Sequence, residues 1–114
     1  MLVTVVITTK DRKDDLLKAI RSAIYQNYPY FEILVFEDGG GDDAINHIKS
    51  KIDDKRVTYH FEKKSIGLIN ARNKAAQIAR GEIIISIDDD AVFSTNNIIS
   101  TIVSAFKFND KIAA

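Results

Sequence analysis

Three consecutive carboxylates, Asp88, Asp89 and Asp90, follow the apolar run Ile83-Ile84-Ile85-Ser86-Ile87. Adjacent carboxylates repel one another, and each loses hydration when it is partly buried. A divalent cation offsets both costs. Mg²⁺ and Mn²⁺ take hard oxygen ligands, and Mg²⁺ commonly uses one or two carboxylates with water and substrate phosphates completing its shell. In an extended chain Asp88 and Asp90 point to one side and Asp89 to the other. One carboxylate can then hold an ion while a neighbour accepts a hydrogen bond from a ribose hydroxyl. The competing reading is a solvated acidic turn ahead of the next helix.

Two further groups carry potential chemistry. Asp38 precedes Gly39-Gly40-Gly41, a loop whose backbone can approach a ligand closely. Its carboxylate can accept the ring N–H of a pyrimidine base, and the alternative is a plain loop in which Asp42 caps the following helix. A phosphate-cradling P-loop is excluded, because the Gly-Lys-Ser/Thr ending is missing. Arg72 lies beside the apolar stripe of its helix rather than opposite it, within reach of a diphosphate or a base; a snorkelling surface arginine is the alternative. His47 and His60 fall on polar phases and read as bystanders.

These groups need elements to position them. Leu2–Ile7, Ile33–Phe36 and Ile83–Ile87 are nearly continuous β-branched or apolar runs, as expected for parallel strands covered on both faces. Val57–Glu62 alternates apolar and polar, which suits a strand nearer a sheet edge. Helical periodicity appears at Leu16, Leu17, Ile20, Ala23 and Ile24; at Ala44, Ile45, Ile48 and Ile52; at Leu68, Ala71, Ala75, Ile78 and Ala79, with Gly81 placed to end the helix; and at Ile98, Ile99, Ile102, Val103 and Phe106. The order β-α-β-α-β-α-β-α predicts an α/β fold. Its form is a Rossmann-like, doubly wound, mostly parallel sheet with helices on both faces, occupying residues 1–114 as one domain. Ligands of such sheets sit beyond the carboxyl ends of the strands. There the chain carries Thr8-Thr9-Lys10-Asp11-Arg12, Glu37-Asp38 and the three aspartates.

Composition narrows the partners. Sixteen Lys and Arg balance sixteen Asp and Glu, so no bulk field attracts nucleic acid or an acidic membrane. The absence of cysteine excludes disulfides, thiolate metal sites and a cysteine nucleophile. No stretch approaches the roughly 20 apolar residues of a membrane span, and a cytoplasmic location is the default expectation.

The same residues, in this order, resemble family 2 glycosyltransferases of the GT-A fold. Thr8-Thr9-Lys10-Asp11-Arg12 matches a Pro-Thr-Tyr-Asn-Arg-like segment, and Gln26-Asn27-Tyr28 a Gln-x-Tyr turn. Residues 32 to 38 match an acidic strand end, and Gly67 with Ala71-Arg72-Asn73 matches a Gly-x-x-x-Ala-Arg-Asn helix start. Gly81-Glu82-Ile83 leads into the Asp-x-Asp motif at Asp88-Asp89-Asp90. The match covers essentially the whole chain. Departures lie at Thr8, Lys10 and Asp11, where Pro, Tyr and Asn are usual, and at Gly40 and Ser65.

The resemblance implies a nucleotide-binding set of Thr8, Thr9, Asp11, Asp38, Arg72, Asp88 and Asp89. It implies Mg²⁺ or Mn²⁺ on Asp90 with Asp88. It further implies inverting transfer from a nucleoside-diphosphate sugar, a UDP-sugar favoured, to a hydroxyl of a glycan, lipid or polysaccharide precursor. The general base is expected beyond this segment, so the isolated chain is expected to turn over poorly. A longer protein is expected at the inner membrane face, and a homo-oligomer stays open. Two other functions fit the α/β order less well. A phosphoacceptor receiver needs an acidic pair where Thr8-Thr9 stands, and a sugar-nucleotide pyrophosphorylase needs a glycine-rich basic loop after the first strand.

Overall fold

The two strands buried along their whole length form the centre of the sheet. Val3–Thr9 (β1) and Phe31–Asp38 (β2) pair in parallel from Val3 opposite Phe31 to Thr9 opposite Glu37, and every residue of both is buried. In the computed structural model, which describes residues 1–41 and 43–108, Val57–Glu62 (β3) adds to β2 and Ile83–Asp88 (β4) to the other side of β1. All pairings are parallel and the strand order is β3-β2-β1-β4. The crossovers are the helices Lys13–Ile24 (α1), Asp43–Lys51 (α2) and Leu68–Ile78 (α3), and Ile98–Phe108 (α4) follows β4.

Strand alternation divides the core into two layers. Val3, Val5, Ile7, Phe31, Ile33 and Val35 face α1, α2 and α4, meeting Leu16, Ile20, Ala44, Ile48, Ile99 and Val103. Val6, Leu34 and Phe36 face α3, which contributes only Ala71 and Ala75 as fully buried residues. Each fully buried Val, Leu or Ile contributes roughly 1.5–3 kcal/mol of transfer free energy, so the first layer carries most of the stability. On α3 the small alanines let the helix approach closely, while Leu68, Ile69 and Ile78 stay exposed. The expected five-residue stripe is therefore buried at only two positions.

Three other expectations are corrected. The strands run further than the apolar runs: β1 includes Thr8 and Thr9, and β2 includes Glu37 and Asp38, because ladder hydrogen bonds continue past the last apolar side chain. β4 is not covered on both faces. Only Ile83 is fully buried, since β4 is an edge strand among the described residues. Gly81 does not end α3, which stops at Ile78 with Ala79 already extended. Gly81 instead lies against β1, where an added Cβ would sit 2.5 Å from the Thr4 backbone nitrogen and 2.9 Å from the Ile83 carbonyl oxygen. Gly81→Ala is expected to cost about 2 kcal/mol or more through this overlap with backbone atoms; an unchanged urea midpoint would show that the turn can move. Asp42, considered as a cap of α2, and the segment 109–114 lie outside the described residues.

The chain runs outward from β1 to β2 and β3, then returns to the other side of β1 for β4. The order thus reverses between β1 and β4, and the crevice beyond their carboxyl ends is the natural ligand site of this topology. Gln26 braces it from below. Its amide donates to the Thr95 carbonyl (2.6 Å) and accepts from the Ile99 backbone N–H (3.0 Å), joining the end of α1 to the segment after the aspartates. No described helix is long and apolar enough to cross a membrane.

Candidate active site

The crevice is a cleft of about 460 Å³ lined by Thr8, Thr9, Lys10 and Arg12 from the end of β1, Asp38 from β2, Leu68 and Ala71 from α3, and Asp88, Asp89 and Asp90 after β4. β1 supplies the register. Thr8 pairs with Phe36 on one side and Asp88 on the other, which brings segments 80 residues apart to one rim. The Thr9 hydroxyl donates to Asp89 Oδ2 at 2.9 Å, and both residues are buried.

The aspartates do not stay extended. The chain turns after Asp88, with the Ala91 N–H bonded to the Asp88 carbonyl at 3.0 Å, so all three aspartates line the same cleft. This corrects the alternation expected from strand geometry. Asp89 is buried, whereas the Asp88 and Asp90 side chains are 62% and 61% exposed on the lip. Arg72 is at the rim too, its Nη2 3.1 Å from Asp88 Oδ1. Arg12 Nη1 stands 3.9 Å from Asp89 Oδ1 and 4.0 Å from Asp90 Oδ2.

Asp38 is less free than an open base acceptor. Its Oδ1 accepts the Ile66 N–H (2.7 Å), and its Oδ2 accepts the Ser65 hydroxyl and the Gly67 N–H (both 3.1 Å). The carboxylate therefore fixes the loop that launches α3, and with it Leu68, Ala71 and Arg72. Gly39, at φ 83°, lets β2 pass this loop, since a Cβ there would lie 2.9 Å from the Ser65 nitrogen.

Asp11 is separated from the other expected nucleotide ligands. It adopts a left-handed conformation (φ 55°), accepts the Gly41 N–H at 3.2 Å, and lines a neighbouring cavity with Lys13, Asp43 and Ala44. The local reason lies beneath it. The Asp11 N–H donates to Glu37 Oε1 at 3.2 Å, which draws the loop over Glu37 and away from the main cleft.

Glu37 is the residue that sequence reasoning passed over. Its place at a strand end suggests no role, yet its side chain is completely buried and its Oε2 has no hydrogen-bond partner. Burial pushes its carboxyl up to about 7; the Asp11 N–H opposes the rise, and the nearby charges of Asp11, Asp89 and Asp38 add to it. Lys10, Arg12, Leu68 and Ala71 were likewise unassigned. The two cations were visible in the strand-end segment, but nothing in the sequence said which way they turn.

The donor set suits a hard divalent ion. Asp88 and Asp90 offer oxygens on the open lip, although the described residues contain no group of three His, Cys, Asp or Glu placed to hold a metal. Two carboxylates with phosphates and water completing the shell is the usual pattern for Mg²⁺.

Comparison with known proteins agrees with this architecture. The family model described as glycosyl transferase family 2 matches residues 4–114. An uncharacterised glycosyltransferase of Rickettsia conorii is 32% identical over 96% of this chain and 20% of its own length. The Escherichia coli enzyme named UDP-Glc:alpha-D-GlcNAc-diphosphoundecaprenol beta-1,3-glucosyltransferase WfaP is 33% identical over 89% of this chain and 40% of its own. The chain thus spans between a fifth and two fifths of these relatives. Among solved structures, the Pyrobaculum calidifontis mannosyltransferase PcManGT in complex with GDP-Man and Mn²⁺ superposes with a TM-score of 0.82 at 24% identity, over 91% of this chain and 32% of that one. Staphylococcus aureus TarS in complex with UDP-GlcNAc gives 0.86 at 18% identity, over 96% and 32%. At these identities the superpositions establish the fold.

Proposed function

The chain belongs to glycosyl transferase family 2, and on that footing we propose that its cleft binds a nucleoside-diphosphate sugar with a divalent ion, for inverting transfer of the sugar to an acceptor hydroxyl. One observation carries the reading. Thr8, Thr9, Asp38 and the three aspartates, distant in sequence, line a single cleft at the point where strand order reverses.

In this reading Thr8 and the Asp38-braced loop receive the base, a UDP-sugar being favoured. Asp89, held by Thr9, accepts from the ribose, and Arg72 turns to the diphosphate. Asp88 and Asp90 would hold Mg²⁺ or Mn²⁺, which when bound neutralises charge developing on the leaving diphosphate. Asp11 is withdrawn from the direct ligands and acts on loop shape. Support for UDP comes from the UDP-Glc in the E. coli relative's name and the UDP-GlcNAc bound by TarS; PcManGT binds GDP-Man, so both nucleotides enter the test. In this reading the acceptor is a glycan, lipid or polysaccharide precursor at the inner membrane face, and no described residue is assigned as the general base. The receiver and pyrophosphorylase alternatives fall with the family assignment.

Calorimetry with UDP and GDP, with and without Mn²⁺, tests the reading. Wild-type protein is expected to bind one of them in a metal-dependent way, and Asp90→Ala to lose about tenfold or more of that affinity, roughly 1.4 kcal/mol. Binding that ignores the metal, or an Asp90→Ala variant equal to wild type, would remove the assigned role.

A further inference from the structure

Arg12 is built as a pivot. Its backbone is fixed as the residue that opens α1, the carbonyl accepting the Leu16 N–H at 2.9 Å, while its side chain makes no helix-capping bond and remains 57% exposed. The guanidinium lies over the cleft between Asp89 and Asp90. At 3.9 and 4.0 Å it attracts them by charge but is too far for hydrogen bonds. The Arg12–Asp90 pair, exposed on both sides, is weak and exchangeable. Asp89, by contrast, is held in place by Thr9.

The charge balance gives this arrangement a purpose. Four carboxylates, Asp38, Asp88, Asp89 and Asp90, face three cations, Lys10, Arg12 and Arg72, so the rim carries one net negative charge. A nucleoside diphosphate entering alone meets a rim of its own sign. A divalent ion and the doubly charged diphosphate of a nucleoside-diphosphate sugar entering together leave the balance unchanged.

We infer that Arg12 is an exchangeable internal counter-ion: in the ligand-free protein it offsets one of the two charges of Asp89 and Asp90, and on ligand entry it leaves them and pairs with the diphosphate. The inference rests on the nucleotide-sugar reading above and assigns a diphosphate-binding role to a residue outside the expected ligand set. Arg12 competes with a cation for the carboxylates and cooperates with it for the anion. Its removal therefore moves the two affinities in opposite directions, which loss of a purely structural contact would not do. By linkage, the factor by which Mn²⁺ tightens nucleotide binding equals the factor by which nucleotide tightens Mn²⁺ binding, and Arg12 is expected to contribute to that shared factor.

The test is calorimetric titration of wild type, Arg12→Ala and Arg12→Lys with Mn²⁺ alone, and then with UDP and GDP at saturating Mn²⁺, alongside thermal melts. Arg12→Ala is expected to bind Mn²⁺ alone about threefold more tightly and the nucleotide about tenfold more weakly, with an unchanged melting temperature. Arg12→Lys, keeping the charge but not the planar fork, is expected between the two. Mn²⁺ affinity that is unchanged or weaker in Arg12→Ala overturns the counter-ion role, as does a fall of both affinities together with a lowered melting temperature. Wild-type protein that binds neither nucleotide under any metal condition overturns the nucleotide reading itself; the Mn²⁺-only titrations still decide whether Arg12 offsets the carboxylate charge.

Discussion

Asp38→Ala is expected to lose about 3 kcal/mol of folding stability and to weaken nucleotide binding by about a hundredfold. The carboxylate accepts three hydrogen bonds from the 65–67 loop, two of them from backbone N–H groups. Bonds to a charged acceptor contribute about 1.5–3 kcal/mol each, and the donors here are only partly shielded from water. Water entering the space left by the side chain recovers part of this, which keeps the net figure near the value of one or two bonds. The binding loss follows from position. The loop sets the start of α3, and α3 carries Leu68, Ala71 and Arg72 into the cleft. Asp38→Asn is no conservative control, because the donors approach both oxygens and an amide nitrogen would face at least one of them. It is expected to fall between wild type and alanine. Urea unfolding and calorimetry measured together check the claim. An alanine variant with wild-type stability would mean that the loop holds its shape without Asp38.

The second large effect concerns pH. Glu37 has its carboxyl raised from 4.5 to about 7 by burial, against the pull of the Asp11 N–H. An acid whose folded value lies above its unfolded value keeps its proton longer in the folded state. Its stabilising contribution is complete below about 4.5, declines between 4.5 and 7, and is gone above the folded value. The size is on the order of 3 kcal/mol between those limits. Glu37→Gln removes the titration while keeping an oxygen for the Asp11 N–H. Its amide nitrogen inherits the place of the unpartnered Oε2, which limits the gain. The variant is expected to be about 1–2 kcal/mol more stable than wild type at pH 8, equal or slightly less stable at pH 5, and nearly flat between. Unfolding free energies across pH 5 to 8 report this directly, and parallel curves for the two proteins would show that Glu37 does not titrate in that window.

Both residues mark the limit of what a linear reading can reach. Asp38 is a candidate from sequence because a carboxylate followed by three glycines at a strand end lets the backbone approach a ligand, with a plain loop as the equal alternative. Its partners were out of sight, since Ser65, Ile66 and Gly67 follow a different strand and meet Asp38 only after β3 and α3 are placed. Glu37 looked like one more polar residue after the apolar run Ile33–Phe36. Its burial arises because β2 continues through it and the Asp11 loop closes above it, and neither event leaves a periodic signal. Asp89 is a third case. Alternation along an extended chain predicted that it would face away from Asp88 and Asp90, but the turn after Asp88 sends it into the same cleft, where Thr9 binds it.

The amino-acid sequence by itself determined the number and order of elements, the parallel sheet, the wetter β3 and the collection of charge at the carboxyl ends of the strands. These follow from short-range rules: period two or 3.6, β-branched content, and the polarity of residues where apolar runs stop. Tertiary structure alone decided which carboxylates are held and which are open, that Asp11 turns away while Arg12 turns in, and that burial raises the Glu37 carboxyl above the usual carboxylate range. Each of those outcomes depends on distances between residues roughly 25 to 80 positions apart. Solvation and charge energies vary steeply with such distances, and no local pattern encodes them.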